Sequence, residues 1–161
     1  MSMPAPAHQH TAEGKTILST TRFGSVEIET HKIVTLTSPF LGFPDERQYV
    51  LIPHGPDSPF MWLQSISTPA LAFVVIPPAI IRPDYAPTIP RQALTELGSD
   101  TDGDVGLLVM LTIPQGHPER MTANLLAPIA FCAKNRSARQ ILLDPALHDP
   151  CWPVFQGQET K

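Results

Sequence analysis

The sequence predicts an all-β fold: a small β-barrel-like single domain with one short helix. Three observations carry that expectation. The chain holds 19 prolines in 161 residues, and proline removes a backbone donor and breaks helices, so no long helix can be placed. Short runs rich in β-branched and aromatic residues recur along the chain, each bounded by Pro, Gly, Ser or Asp, which is the cadence of a barrel or sandwich. The length is that of one domain, and 42% hydrophobic content is enough to build one sizeable core.

Taken in chain order, residues 1–15 (MSMPAPAHQHTAEGK) have little to bury and are expected to form a disordered N-terminal tail. They offer neither a charged start nor an apolar segment of the kind that directs secretion, so a cytoplasmic protein is expected. The β domain is expected over residues 16–148. In FGSVEIETHKIVTL, Val26 and Ile28 alternate with Glu27 and Glu29, the period-two pattern of a strand with one wet face. YVLIP, MWLQSI, LAFVVIP, VGLLVMLTIP and RQILLD follow as further strands. LAFVVI and VGLLVMLTI are apolar at consecutive positions, which predicts strands covered on both faces. The single helix is expected at PRQALTELG, where Pro90 suits the first turn and Gly98 suits the left-handed residue that closes a helix. Residues 149–161 are expected to form a C-terminal tail.

Composition excludes several classes. Formal net charge is -4 with a pI near 5.8, and the 11 Lys and Arg are scattered, so no surface for direct nucleic-acid binding is expected. The longest apolar run, Leu71 to Ile81, is interrupted by Pro77 and Pro78 and falls short of the ~20 residues that span a bilayer, so no membrane is expected. Cys132 and Cys151 are expected as reduced thiols.

The residue types that carry chemistry do not assemble into a catalytic motif. Cys132 lies in the apolar run APIAFCA and reads first as a small core side chain, with a nucleophile as the weaker alternative. Cys151 in DPCWP reads as accessible. His117 and His148 read as solvated residues of Pro-flanked turns, and no Cys-x-x-Cys or His-Glu-x-x-His spacing is present. In SDTDGD, Asp100, Asp102 and Asp104 imitate the first ligands of a calcium loop, but Val105 and Leu111 stand where that loop needs Gly and a bidentate Glu. No phosphate-binding loop occurs. Catalytic residues, metal and cofactor are therefore all expected to be none. What remains is polar groups lodged among strands: Gln64 in WLQS, Asp84 and Tyr85 in RPDY, and Thr122 and Asn124 in MTANLLAP. Either the buried amides among them satisfy backbone groups at strand ends, or the set lines a recognition surface with Trp62 and Met121 as apolar neighbours. These seven residues are the candidate partner-binding site.

Several segments in order, TRFGSVEIE, LGFPDERQYVLI, SPFMWLQSISTPALAFVVIPP, PDY, LTELG, MTANLLAPIAF and RQILLD, together resemble the bacterial flagellar assembly factor FliW family from Thr21 to Asp144. The resemblance implies a small β-barrel-like protein without catalysis. It further implies two partners, the RNA-binding regulator CsrA and flagellin. In that scheme captured CsrA no longer represses flagellin translation, and accumulating flagellin releases CsrA. One stretch departs from the family pattern: PFLGFP places Pro39, Leu41 and Pro44 where Gly, Pro and Glu are usual, while Gly42 and Phe43 remain. Pro fixes φ near -65°, so the turn must be built differently there. The reading from another class is a small β-barrel enzyme, such as a flavin reductase or a cysteine-dependent hydrolase.

Overall fold

A computed structural model describes residues 8–10, 14–99 and 102–155. Strands β1 (His8–His10), β2 (Lys15–Thr20) and β3 (Gly24–Glu29) form a three-stranded antiparallel sheet. A 3-10 turn at Thr30–Lys32 leads into β4 (Val34–Leu36), β5 (Gln48–Pro53), β6 (Met61–Ser65) and β7 (Ala72–Ile76). Two short helices follow, α1 (Pro78–Ile81) and α2 (Arg91–Glu96), before β8 (Gly106–Thr112), β9 (Thr122–Ala123), β10 (Ile129–Cys132), β11 (Ser137–Gln140) and β12 (Trp152–Pro153).

Seven of these strands close into a barrel. The order β10-β11-β4-β5-β6-β7-β8 is completed by antiparallel pairing of β8 with β10, Leu108 opposite Ile129 and Gly106 opposite Phe131. Only β11 and β4 run parallel. The interior is filled by Val34, Leu36, Tyr49, Leu63, Val75, Leu108, Ile129 and Ala138, with Phe40 packed among them. Phe73 meets Phe40 and Phe43 edge to face at 5.5 and 5.3 Å, the offset arrangement that aromatic quadrupoles favour.

The outer wall of the barrel is covered in three places, which accounts for the double-sided apolar strands. Successive strand residues face opposite sides, so Val75 and Leu108 point inward while Ile76 and Val109 point outward. Against that outer face pack Tyr85, Met121, Ala123 and Leu125, with Trp152 and Val154 of the C-terminal segment beside them. A second cover is α2 with its C-cap, whose Ala93 and Leu97 lie on Ala130, Cys132 and Ile141. The third is the β2–β3 hairpin, whose Leu18 and Ile28 lie on Val50 and Ile66. Each fully buried Leu or Ile in these layers contributes about 1.5–3 kcal/mol relative to exposure.

The all-β barrel is therefore as expected, and the helix at Arg91–Glu96 is in place with Gly98 at φ +79. The four-residue α1, started by Pro78 directly after Pro77, is an addition. In RQILLD the ladder ends at Gln140, yet Ile141 and Leu143 continue to donate to the carbonyls of Pro128 and Leu126. At the N-terminus, residues 1–7 and 11–13 of the expected tail lie outside the described residues, whereas His8–His10 pairs with β2. The expected C-terminal tail is described to residue 155. There Trp152 and Pro153 pair with Ala123 and Thr122, and Leu125 donates to the Asp149 carbonyl.

Candidate functional site

The structure divides the seven candidate residues into two groups. Trp62 and Gln64 share one face of β6, the outer one, because Leu63 between them points into the barrel. The β2–β3 turn folds over Trp62: the Arg22 guanidinium lies 4.2 Å from its ring centroid and Phe23 meets it edge-on at 5.8 Å. The indole is thus a half-buried cation-π platform rather than a bare anchor. Gln64 is 0% exposed. Its Nε2 donates to the carbonyls of Ser65, Thr68 and Pro69 at 3.1, 3.4 and 3.2 Å, which shapes the β6–β7 turn.

The second group surrounds β9. Tyr85 is buried and its hydroxyl donates to the Leu125 carbonyl at 2.7 Å. Burial pushes its pKa up to about 12, against a smaller opposing effect of the Arg82 cation. Met121 is buried in the same layer. Thr122 pairs with Thr112 on one side and Pro153 on the other. Asn124 turns the chain after β9: its Oδ1 accepts from the backbone N–H of Leu126 at 3.1 Å and of Ala127 at 3.0 Å. Its own N–H donates to the Met110 carbonyl. Asp84 is the exposed member, its side chain 80% accessible and 3.4 Å from Arg82. Arg82 also lies 4.5 Å over the Trp152 ring, so Asp84, Arg82 and Trp152 form one surface strip above the buried Tyr85.

Of the other residues singled out by type, Cys132 is 0% exposed and Cys151 is exposed, both as free thiols. The Cys132 sulfur sits 3.5 Å from the Asn135 amide. His117 is exposed and 3.2 Å from Glu119. His148 departs from the expectation of a solvated loop residue: its ring meets Tyr85 edge-on at 5.6 Å and its Nδ1 is buried. The Asp144 turn that accepts the His148 N–H folds the ring against Tyr85 instead of into water. Among the described residues, no group of His, Cys, Asp or Glu could hold a metal ion, and no helix is long and apolar enough to cross a membrane.

Two features lie outside the seven candidate residues. Glu46 accepts from Ser65 Oγ at 2.6 Å, Ser67 Oγ at 2.9 Å and Thr68 Oγ1 at 2.5 Å, locking the β4–β5 loop to the β6–β7 turn. Those hydroxyl bonds, Ser65 first, hold its carboxyl below the usual range, against the opposing effect of burial. Leu41 stands 95% exposed beside Gly42 at φ +91. It belongs to the PFLGFP stretch that departs from the family pattern.

The closed barrel, its three covers and the exposed loop strip define a class of small seven-stranded β-barrel proteins. The chain belongs to the FliW family, whose model matches residues 16–154 under the description FliW protein. Its relatives include the flagellar assembly factor FliW of Magnetococcus marinus, 38% identical over 142 residues and covering 88% of both chains. That of Syntrophus aciditrophicus is 35% identical over 142 residues, covering 88% of this chain and 89% of the relative. A crystal structure of the flagellar assembly factor FliW superposes with a TM-score of 0.80 at 32% identity, covering 88% of this chain and 99% of that one.

Proposed function

We infer that this chain is a cytoplasmic, non-enzymatic regulator of flagellin synthesis that works by stoichiometric capture of protein partners. It binds and antagonises the translational regulator CsrA, and it binds flagellin, so that flagellin level feeds back on its own translation. The observation that carries this reading is family membership over residues 16–154, which span the whole barrel, shared with relatives named for flagellar assembly. The burial of Cys132 supports it against a thiol hydrolase, since an attacking thiolate needs access to its substrate. The net charge of -4 supports association with basic surface through complementary charge, without this chain itself holding RNA.

The exposed candidates divide the work. Asp84 and the edge of Trp62 meet the partner directly. Gln64, Tyr85, Met121 and Asn124 act from beneath by fixing the loops that carry the surface, and Thr122 holds β9 in register. Leu41 supplies an apolar contact, the kind of side chain that sets affinity, whereas exposed acidic residues mainly adjust association rate.

The test is a titration of this protein into a mixture of CsrA and labelled target RNA. RNA is released with an endpoint at a fixed molar ratio, and added flagellin restores RNA binding. Release by catalytic amounts, direct RNA binding by this chain, or no complex with either protein would overturn the reading.

A further inference from the structure

One end of the barrel opens into a cavity of about 270 Å³ lined by Lys32, Val34, Leu51, Phe131, Ala133 and Arg136. Val34, Leu51 and Phe131 also line the barrel interior, so this cavity is the barrel's mouth, a place where β-barrels commonly hold ligands. Its walls are apolar and its rim is cationic. Lys32 is held by Glu29 at 3.8 Å, with both side chains well exposed, and Glu29 does not line the cavity.

Arg136 is the unusual member. It ends the β10–β11 turn with φ 55, the one described non-glycine residue in left-handed conformation. Glycine or asparagine is favoured there, because a Cβ crowds the backbone. Its guanidinium is poorly rewarded within the fold: Nη1 donates to the Ala133 carbonyl of the same turn at 3.3 Å. Its Nε is buried without a hydrogen-bond partner. Among the described residues no carboxylate pairs with it. Arginine at a strained position, with its guanidinium on the rim of an apolar cavity and bonded only weakly to a carbonyl of its own turn, is the pattern expected of a group kept for an absent anion.

The geometry points to a binding site for a small amphipathic carboxylate at the barrel mouth: the carboxylate on Arg136, with Lys32 adding charge, and the apolar body against Val34, Leu51 and Phe131. The cavity is at the small end of ligand pockets, which restricts the body to about the size of one ring or a short chain. Phe131 is seated by its ring packing over Gly106, where an added Cβ would lie 3.1 Å from it, so the wall is pre-formed. This inference is independent of the partner reading above.

The test uses the full chain and two probes of nearly equal shape, phenylacetate and uncharged phenylacetamide, followed by amide NMR shifts. Phenylacetate is expected to give saturable shifts concentrated at Leu51, Phe131, Ala133 and Arg136, and phenylacetamide to bind roughly tenfold more weakly or not at all, the loss of one charge-assisted pair. Arg136→Gly is expected to lose phenylacetate binding by a similar factor while melting at the same or a higher temperature, since glycine suits the backbone. No saturable shift with phenylacetate, equal binding of both probes, or undiminished binding by Arg136→Gly would each overturn the inference. The comparison of probes on the unaltered chain stands even if the variant folds poorly.

Discussion

Asn124 shows how one side chain can hold a turn through its backbone partners. One carbonyl oxygen accepts from two successive backbone N–H groups, so Asn124→Ala leaves donors unsatisfied at a tight turn. A loss of about 1–2 kcal/mol in chemical denaturation is expected, with Asn124→Asp retaining most of the stability because it keeps the acceptor. An unchanged denaturation midpoint for the alanine variant would show that the turn stands without it. Cys132→Ala is expected to lose about 1 kcal/mol through a small cavity while partner binding stays at the wild-type level; lost binding in a folded variant would contradict the core assignment. The tyrosines set an alkaline limit. Burial raises both Tyr49, with Glu46 adding to the effect, and Tyr85 to about 12, while an unfolded tyrosine releases its proton near 10. The folded state therefore binds more protons between those values. Its stability is intact below about pH 10 and declines toward about pH 12. Denaturant midpoints across that range, with tyrosinate absorbance as a second signal, check the direction.

At the scale of elements, ties between loops add to the stability that the buried strand faces provide. Glu46 gathers three hydroxyls from the β6–β7 turn. Its lowered pKa means that its contribution is present above the ordinary carboxylate pKa and is lost as pH falls through its folded value. Glu46→Gln is expected to cost about 1 kcal/mol at neutral pH and to flatten the acid limb of the stability curve; an acid limb as steep as in the unaltered chain would locate that sensitivity elsewhere. The end of α2 is similarly built. Gly98 has φ +79 and an added Cβ would meet Asn135 Nδ2 at 2.7 Å, while that same amide donates to the carbonyls of Leu97 and Gly98. Gly98→Ala combines strain with displacement of the cap, for an expected loss of about 2 kcal/mol, readable as a lower melting temperature. The C-terminal segment closes the β9 edge, and Trp152 carries both a strand pairing and the Arg82 stack. Trp152→Ala should loosen that edge, seen as faster amide exchange at Ala123 and Leu125.

For the molecule as a whole, the sequence by itself determined the class of fold. Period-two alternation in GSVEIE reads directly as a strand with one wet face. Consecutive apolar residues in LLVML read as a strand covered twice, because side chains alternate sides whatever lies beyond them. Proline density and the PRQALTELG punctuation fixed the absence of long helices among the described residues and the place of α2. Local pattern also identified Gln64 and Asn124 as amides needing partners. The pattern carried no information about which distant segment supplies each cover or partner. Tertiary structure decided that β8 closes on β10, that Tyr85 reaches the Leu125 carbonyl, and that Trp152 stacks beneath Arg82. It also decided that Met121 is buried and Leu41 exposed, two apolar residues that look alike in sequence. The physical reason is that strand propensity and alternation are properties of a few neighbouring residues, whereas burial and hydrogen-bond partnership belong to contacts formed only when the barrel closes.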